Sequence, residues 1–219
     1  MNLILKIFYS PDEALKEIKE KKPIGVPFFI LFLISLTVSF LYVKFIMIPN
    51  KEALLMTRNI PEEAYERTLE FMESKLFYIV TLLSASIGFL FSTLIPGFIF
   101  YLISSIMKGK GEFMAFWSSA IHISAVTILG SIVAFPIAFL KGTPKVTLDF
   151  SLLFMFLSEK NLLRIFLENT NFFTLWSLFL YGLALSHIGE VGKKKGIITS
   201  YGLWFIYAVI MTVIRVLRG

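Results

Sequence analysis

The chain has 219 residues and contains no cysteine and no glutamine. Without cysteine it cannot form disulfides, use a thiolate nucleophile, or hold zinc or iron–sulfur clusters through thiolate ligands. Charged residues are scarce at 16%, whereas hydrophobic residues make up 57% of the sequence and the mean hydropathy is +0.79. A soluble domain carries about 25% charged residues. The composition therefore predicts a membrane protein that crosses the bilayer several times.

The motifs that would carry catalysis are missing as well. The sequence has no glycine-rich phosphate loop, no HExxH or GxSxG pattern, and no pair of aspartates inside an apolar run. Hydrolase, protease and ATPase chemistry each depend on one of these arrangements. We therefore predict that the chain is not an enzyme, and we expect no catalytic residue, no cofactor and no bound metal.

Five apolar runs are expected to cross the membrane as helices, so the predicted fold is an all-α bundle with additional interfacial amphipathic helices. A hydrocarbon core of about 30 Å needs about 20 apolar residues per helix. Residues 1–22 are expected to form a cytosolic or interfacial helix, and residues 23–219 a single membrane domain. The run around residues 148–157 is too short to cross and is expected to be interfacial or re-entrant. The predicted spans are residues 24–48, 76–107, 113–140, 172–188 and 197–214, the fourth with Asn171 as its N-cap.

The third run, from Phe113 to Leu140, contains no charged residue and is expected to be the central helix. Small residues recur along it at alternating spacings of four and three, which places them in one stripe. Such residues let another helix approach closely where lipid provides no hydrophobic driving force. The predicted helix-packing residues are Ala120, Ser124, Thr127, Ser131, Ala134 and Ala138 in this run, and Ser84, Gly88 and Ser92 in the preceding one.

Pro96 and Gly97 lie inside the second run. Proline removes a backbone hydrogen bond and clashes with the preceding helical turn. The pair therefore predicts a bend, for which we favour a fixed kink over a hinge that moves with function.

His122 is the only ionisable residue deep inside a predicted span, about 13 Å from the start of the central helix at 1.5 Å per residue. An ionisable side chain at this depth is a functional candidate, as a proton carrier or as a donor in a pocket. No acidic residue lies at a similar depth in the sequence to relay a proton. We therefore favour a neutral His122 bonded to a serine or a backbone carbonyl. Ser118, one turn earlier, is the second member of this candidate polar pocket.

Two further polar patterns predict helix starts. Ser10, Pro11 and Glu13 are typical of a capping box with proline at the first helical position. Pro61 opens a polar helix with several carboxylates, which we expect to be a solvated surface rather than a metal site. These carboxylates belong to Glu62, Glu63, Glu66, Glu70 and Glu73.

Lysines are concentrated in short segments that flank the spans. Segments 1–23, 108–112 and 189–196 hold 10 of the 21 basic residues in 36 positions. This density predicts a cytoplasmic N-terminus and, with five spans, a C-terminus on the other side. The net charge of +6 then reflects contact with anionic lipid rather than with nucleic acid. The lysines expected to face lipid headgroups are Lys21, Lys22, Lys108, Lys110, Lys193, Lys194 and Lys195.

Three segments together resemble the Yip-domain membrane proteins, a family named for interaction with Ypt/Rab GTPases. They are Ile7-Phe-Tyr-Ser-Pro-Asp-Glu-Ala-Leu-Lys16, Gly109-Lys-Gly-Glu-Phe113, and Leu175-Trp-Ser-Leu178 through Lys193-Lys-Lys-Gly196. The resemblance, of the prokaryotic type, covers nearly the whole chain and implies a cytosolic N-terminus and five spans. Eukaryotic relatives act in ER–Golgi trafficking as Rab-associated proteins that associate with one another. This chain departs from them in its N-terminal region, which has only about 22 residues and lacks an extended cytosolic segment. If the source is prokaryotic, Rab binding does not carry over.

The function that these observations favour is a non-enzymatic scaffold that organises membrane or binds partners. Its expected partners are membrane lipids and other membrane proteins, or copies of the chain itself, and not nucleic acid. For a prokaryotic source the expected location is the cell membrane. The alternative is a small transporter or permease component with a polar path near His122. A transporter needs a polar cavity that reaches His122, whereas a scaffold does not.

Overall fold

The computed structural model describes residues 2–56, 61–143, 146 and 148–217. Ser74 caps the longest helix by accepting a hydrogen bond from the Phe77 N–H at 3.2 Å, and Asn171 caps a later one through the Thr174 N–H at 2.8 Å, as predicted. The α-helices of these residues are α1 (Asn2–Tyr9), α2 (Pro11–Lys21), α3 (Gly25–Tyr42), α4 (Lys51–Met56), α5 (Glu62–Glu73), α6 (Lys75–Ile106), α7 (Phe113–Lys141), α8 (Leu162–Leu167), α9 (Phe172–His187) and α10 (Lys193–Leu217).

Four of these helices are long and apolar enough to cross a membrane. They are α6, α7, α10, and α3 extended by a π-helical turn to Met47, while α9 is a shorter apolar helix of 16 residues. The protein is therefore an all-α, multi-pass membrane helix bundle, as its composition predicts. One helix starts earlier than expected: α10 begins at Lys193 rather than at residue 197, because lysine is a good helix former and the lysine run extends the helix beyond its apolar part.

The bundle has two distinct ends. At the near end, Lys19 on α2 binds Glu190 at 2.6 Å and Lys22 binds Glu112 at 2.6 Å, which brings the N-terminal helices to the α6–α7 and α9–α10 connections. At the far end, Lys51 pairs with Glu73, and Arg215 pairs with Glu168. Helix α9 joins the two ends, because Asn171 bridges to Asp149 at the far end while His187 binds Asp12 at the near end.

Helix α7 is the most enclosed helix of the bundle, which confirms the prediction that it is central. It packs against α1, α2, α3, α6 and α9. Fourteen of its residues are buried, compared with five in α6 and four in α10. The outer faces of α6 and α10 are lined with exposed large apolar side chains.

Helix α6 crosses α7 at Gly97. A Cβ atom on Gly97 would lie 2.8 Å from the Cα of Trp117, so the two backbones are nearly in contact. The Trp117 Nε1–H donates to Thr93 Oγ1 at 3.4 Å one turn away. Helix α6 continues through Pro96 without interruption. The Pro96-Gly97 pair therefore lies at a helix crossing, and whether it also acts as a hinge or a fixed kink stays a prediction.

Helix α10 packs on α9 through a comparably close approach. A Cβ on Gly196 would lie 2.4 Å from the Gly182 carbonyl oxygen. Two hydrogen bonds extend this contact: Ser200 Oγ donates to the Leu178 carbonyl at 2.7 Å, and the Tyr201 hydroxyl donates to the Leu175 carbonyl at 3.0 Å. Hydrogen bonds of this kind stabilise helix–helix contacts in a membrane, where no water competes for the same groups.

The segment between α7 and α9 folds over the far end. Asp149 caps a 3-10 turn, Phe150–Phe154, and the Phe150 N–H donates to the Thr170 carbonyl at 2.9 Å. Helix α8 then reaches α10, where the Phe166 and Trp204 rings lie 5.6 Å apart. Large side chains of the segment, such as Leu153 and Phe156, are exposed. Its contact with a membrane interface stays a prediction.

We predict that Gly97→Ala lowers the stability of the bundle by about 1–3 kcal/mol, because the added methyl group forces α6 away from the Trp117 backbone. The matched control is Gly202→Ala on α10, where an added Cβ has no heavy atom within 4 Å. Thermal unfolding in detergent measures both variants. Equal midpoints for the two would contradict the close crossing.

Candidate functional site

Three segments that are distant in the sequence meet at the near end of the bundle. They are α2, the α6–α7 connection at residues 107–112, and the α9–α10 connection at residues 188–192. We call this assembly the near-end junction. It brings together the first two of the sequence segments that carry the family resemblance, and the end of the third.

Helix α2 is held in the junction by apolar packing. Its residues Ala14, Leu15 and Ile18 are fully buried and join the main core with Phe116 and Leu183. An isolated helix of 11 residues is marginal in water, so this packing is what keeps α2 folded. Helices α1 and α2 therefore pack on the bundle, while the prediction that this segment is cytosolic or interfacial stays a prediction.

The start of α2 differs from the predicted capping box. The Ser10 side chain makes no cap hydrogen bond, and its N–H already donates to the Lys6 carbonyl at 2.9 Å because α1 runs into it. Glu13 instead pairs with Lys6 at 3.2 Å. The predicted Pro11 does occupy the first turn.

Asp12 is the charged centre of the junction. Its Oδ1 lies 2.7 Å from His187 Nε2 and 3.1 Å from Lys193 Nζ, so one carboxylate joins α2 to both α9 and α10. The hydrogen bond from His187, followed by that from Lys193, lowers the pKa of Asp12 below its usual value. The carboxylate is therefore ionised at neutral pH.

Glu190 forms a second link of the same kind. Its carboxylate accepts from Lys19 at 2.6 Å and lies 3.7 Å from Lys110, and Lys19 is the main cause of its lowered pKa. These pairs are exposed to solvent, which weakens the attraction between their charges. Their importance is geometric, because together they fix three chain segments relative to one another.

The two connections also touch through their backbones. The Lys110 N–H donates to the Gly189 carbonyl at 3.1 Å. A Cβ on Gly109 would lie 2.4 Å from that carbonyl oxygen, and a Cβ on Gly189 would lie 2.5 Å from Ser104 Oγ. Only glycine fits at these two positions. The close contact explains why the Gly109-Lys-Gly-Glu-Phe113 motif begins with a glycine.

The lysines predicted to face lipid headgroups fall into two groups. Four of them form ion pairs: Lys21 with Glu17, Lys22 with Glu112, Lys110 with Glu190 and Lys193 with Asp12. The other three are exposed and have no ion pair among the residues that the structure describes; they are Lys108, Lys194 and Lys195. Headgroup contact stays a prediction for all seven.

His122 is fully buried on the face of α7 that contacts α1 and α2. Its Nδ1 lies 2.7 Å from the Ser118 carbonyl oxygen, and Ser118 Oγ donates to the Pro23 carbonyl at 2.8 Å. The Nε2 atom has no hydrogen-bond partner among the described residues. A cavity of about 300 Å³ reaches His122, and its other lining residues include Glu17 and Lys21, which pair with each other. The structure thus places His122 and Ser118 together, at a cavity on the near-end side of the bundle.

The small-residue stripe of α7 has two environments. Ala120, Ala134 and Ala138 are buried, and Ser124 is half-buried with its hydroxyl on the Ile121 carbonyl. In the second half of α7, Thr127, Ser131 and Ala134 line a cavity of about 560 Å³. This cavity lies on the opposite face of α7 from His122, as the 3.6-residue period requires.

The small residues of α6 face outward. Ser84, Gly88 and Ser92 are all exposed, and a Cβ on Gly88 would have no heavy atom within 4 Å. Ser84 lies at the edge of a groove between α6 and α3, whereas Gly88 and Ser92 line none of the cavities described here. Among the described residues, no helix packs closely on α6 at Gly88.

The carboxylates of α5 lie at the far end. Glu73 pairs with Lys51 there, and the side chains of Glu62 and Glu63 are outside the described residues. Among the residues that the structure describes, no group of three His, Asp or Glu side chains could hold a metal ion.

Two parts of this arrangement were not predicted from the sequence. The Asp12–His187 contact joins residues 175 positions apart, and no local pattern indicates it. The cavity beside α7 is lined by a polar face of α9 whose spacing of three, three and four could have been recognised as a helical face. These α9 residues are Asn171, Thr174, Ser177 and Tyr181.

Comparison with known proteins gives one match. A family model described as Yip1 domain matches residues 5–214. No curated protein and no solved structure matches the chain. The matched range includes all five apolar helices except the last residues of α10, and it includes the near-end junction.

We predict that Asp12→Asn lowers stability by about 1 kcal/mol at pH 7, because it removes the charge that His187 and Lys193 share. Folding lowers the pKa of Asp12, so the ionised carboxylate stabilises the folded protein. This stabilisation is fully present above the ordinary aspartate pKa of about 3.9. It is lost as the pH falls through the lower pKa of the folded protein. The difference from wild type should therefore narrow below about pH 4. Thermal unfolding at pH 7 and at pH 3 measures both effects.

The control is Glu20→Gln, since Glu20 is exposed on the same helix and has no ion pair among the described residues. It should leave the midpoint unchanged at both pH values. An Asp12→Asn protein as stable as wild type at pH 7 would contradict the role of the carboxylate in the junction.

Proposed function

The chain belongs to the Yip1 domain family, and we propose that it acts within that family as a non-enzymatic scaffold that binds membrane partners, itself included, through its lipid-facing helices. Residues 5–214 match the family model, so the proposal concerns the whole bundle. We infer membrane partners because the exposed surface of the bundle is apolar. The exposed large apolar side chains are most numerous on α6 and α10.

One observation carries the proposal: the Ser84, Gly88 and Ser92 face of α6 is open. Where helices of this chain meet closely, glycine lies at the contact, as at Gly97 against α7 and at Gly196 against α9. A Cβ on Gly88 would have no heavy atom of the described residues within 4 Å, so the same kind of face is open there. A small-xxx-small face lets two backbones approach and is a known mode of helix association in membranes.

The surroundings of this face suit a helix partner. It runs for about 12 Å along α6 at 1.5 Å per residue. Exposed large apolar residues flank it, including Leu83, Ile87 and Phe91, and these would pack around a partner helix. The same face on a second copy of the chain is a self-complementary partner, which supports self-association.

Transport remains the second candidate, because a cavity does reach the unpartnered Nε2 of His122. Against it stands the position of the two cavities that border α7. The cavity at His122 and the cavity at Thr127 share no lining residue and lie on opposite faces of α7. Two cavities separated by the central helix do not make a continuous path, so the geometry favours the scaffold.

We further propose that the near-end junction faces the cytoplasm, and that a prokaryotic source places the protein in the cell membrane. The density of basic residues in segments 1–23, 108–112 and 189–196 supports this orientation. The structure adds that these three segments lie at one end of the bundle. Three exposed lysines, Lys108, Lys194 and Lys195, would then be available to anionic headgroups.

The test is self-association in phosphatidylcholine vesicles, measured by energy transfer between donor- and acceptor-labelled copies. Gly88→Ile should reduce the association at least tenfold, because its side chain blocks the close approach of a second α6. The matched control is Gly202→Ile on α10, which is also exposed with open space around it but lies between Ile198 and Ile206 rather than between small residues. It should associate like wild type.

Loss of association in both variants, or in neither, would refute the proposed face. The same vesicles test the second candidate. Flux of a defined solute that His122→Ala abolishes, in protein that still folds, would replace the scaffold with a transporter.

A further inference from the structure

A large cavity opens toward the far end of the bundle, between the end of α3, the second half of α7 and the first half of α9. Its volume is about 560 Å³, which falls in the range of small-molecule sites. The cavity extends along α9 from Asn171 to Tyr181, a length of about 15 Å at 1.5 Å per residue. Val146 and Leu148 border it from the segment that folds over the far end.

The wall of this cavity is rich in hydroxyl groups and contains no charge. None of its lining residues is acidic, basic or histidine. Its hydroxyls come from all three helices, and one amide lies at its far end. These polar residues are Tyr42, Thr127, Ser131, Asn171, Thr174, Ser177 and Tyr181.

Several of these groups have unused hydrogen-bonding capacity. Ser177 Oγ is buried and has no partner among the described residues. Asn171 uses Oδ1 to cap α9, at 2.8 Å from the Thr174 N–H, which leaves its Nδ2 without a protein partner in the part of the chain that the structure describes. Thr127 is an exposed residue that lines the cavity, and its hydroxyl also has no hydrogen-bond partner among the described residues. Unpaired polar groups inside a membrane bundle are costly, so a partner from outside the chain is expected.

Part of the nonpolar wall is aromatic. The Tyr181 ring stacks on Phe100 of α6, with centroids 4.4 Å apart and planes 1° from parallel, which fixes its position at the cavity. Phe173 lines the cavity as well, and its ring would meet a Cβ placed on Gly130 at 2.9 Å. Fixed aromatic rings surrounded by hydroxyls suit a ligand that has both C–H faces and hydroxyl groups.

From this combination we propose that the cavity binds an uncharged polyol, such as a sugar ring. A hydroxyl both donates and accepts hydrogen bonds, so a polyol can satisfy Ser177, Thr127 and the Asn171 amide at once. An ionic ligand would find no countercharge, and a lipid tail would leave the buried Ser177 hydroxyl unpaired. The polyol can arrive free in solution or as the headgroup of a glycolipid, since the chemistry of recognition is the same.

The experiment uses the full chain in nanodiscs of phosphatidylcholine, which contain no sugar. In one arm methyl β-glucoside is titrated as the free polyol. In the other arm monoglucosyl diacylglycerol replaces part of the lipid. The thermal midpoint of the protein is the readout in both arms, because a ligand that binds only the folded state raises it. Glucosamine and glucuronate, one cationic and one anionic, serve as charged counterparts.

Two variants test the site. Thr127→Val and Ser177→Ala each remove one hydroxyl with little change in shape, and each should weaken binding about fivefold. Ser177→Ala removes an unpaired group, so its midpoint without ligand should not fall, which separates lost binding from lost folding. The matched controls are Thr37→Val on α3 and Ser86→Ala on α6, whose hydroxyls bond to the Leu33 and Leu82 carbonyls away from the cavity.

A midpoint shift with methyl β-glucoside, reduced in the two cavity variants and kept in the two controls, supports a site for free polyols. The same pattern with the glycolipid alone supports a headgroup site. The proposal is overturned if neither arm shifts the midpoint, which would mean that water alone fills the cavity. It is also overturned if the control variants lose as much binding as the cavity variants, or if the charged sugars bind equally well.

Discussion

A charged side chain is expensive inside the hydrocarbon of a bilayer, and this single constraint orders the whole chain. All ion pairs among the described residues lie at the two ends of the bundle. Eight of them belong to the near end, around α2, and three to the far end, such as Lys51 with Glu73. Lys44, at the end of α3, places its ammonium 5.3 Å from the centre of the Phe45 ring instead. Between the ends, helices must therefore hold together without charge.

They do so by letting backbones come close. At the crossing of α6 and α7 the contact depends on Gly97, and at the hairpin of α9 and α10 it depends on Gly182 and Gly196. Because lipid is as apolar as the helices, shape and a few hydrogen bonds decide which faces meet. The same logic gives meaning to the open face at Gly88 and to the uncharged cavity at Ser177. The first is a packing face that no helix of the described residues covers, and the second contains a buried hydroxyl, Ser177 Oγ, without a partner among those residues.

The fold class, the apolar helices and the central position of α7 follow from sequence, because long apolar runs and their flanking lysines are local signals. The Nδ1 atom of His122 lies within hydrogen-bond distance of the Ser118 carbonyl oxygen, and a serine or a backbone carbonyl was the partner that the sequence predicted. Other features depend on how the helices are placed in the bundle, and the sequence alone could not predict them. Periodicity identified Ser84, Gly88 and Ser92 as a small-residue face but could not tell whether that face points inward. The Glu13 half of the predicted capping box does not form because the Ser10 N–H, which would donate to the Glu13 carboxylate, already donates to the Lys6 carbonyl of α1. The position of α1 depends in turn on the rest of the bundle.

The central claim is that α2 and the connections at 107–112 and 188–192 form one junction on one side of the membrane. The absence of cysteine makes a direct measurement simple, because a single introduced cysteine is the only thiol in the protein. Cysteines replacing Lys19, Lys110 and Lys194 should all react with an impermeant maleimide from the same side of sealed vesicles, and cysteines replacing Lys51 and Glu159 should react only from the other. Labelling of Lys194→Cys on the side of Lys51→Cys would show that α9 does not cross, and it would contradict the junction and the five-helix arrangement together.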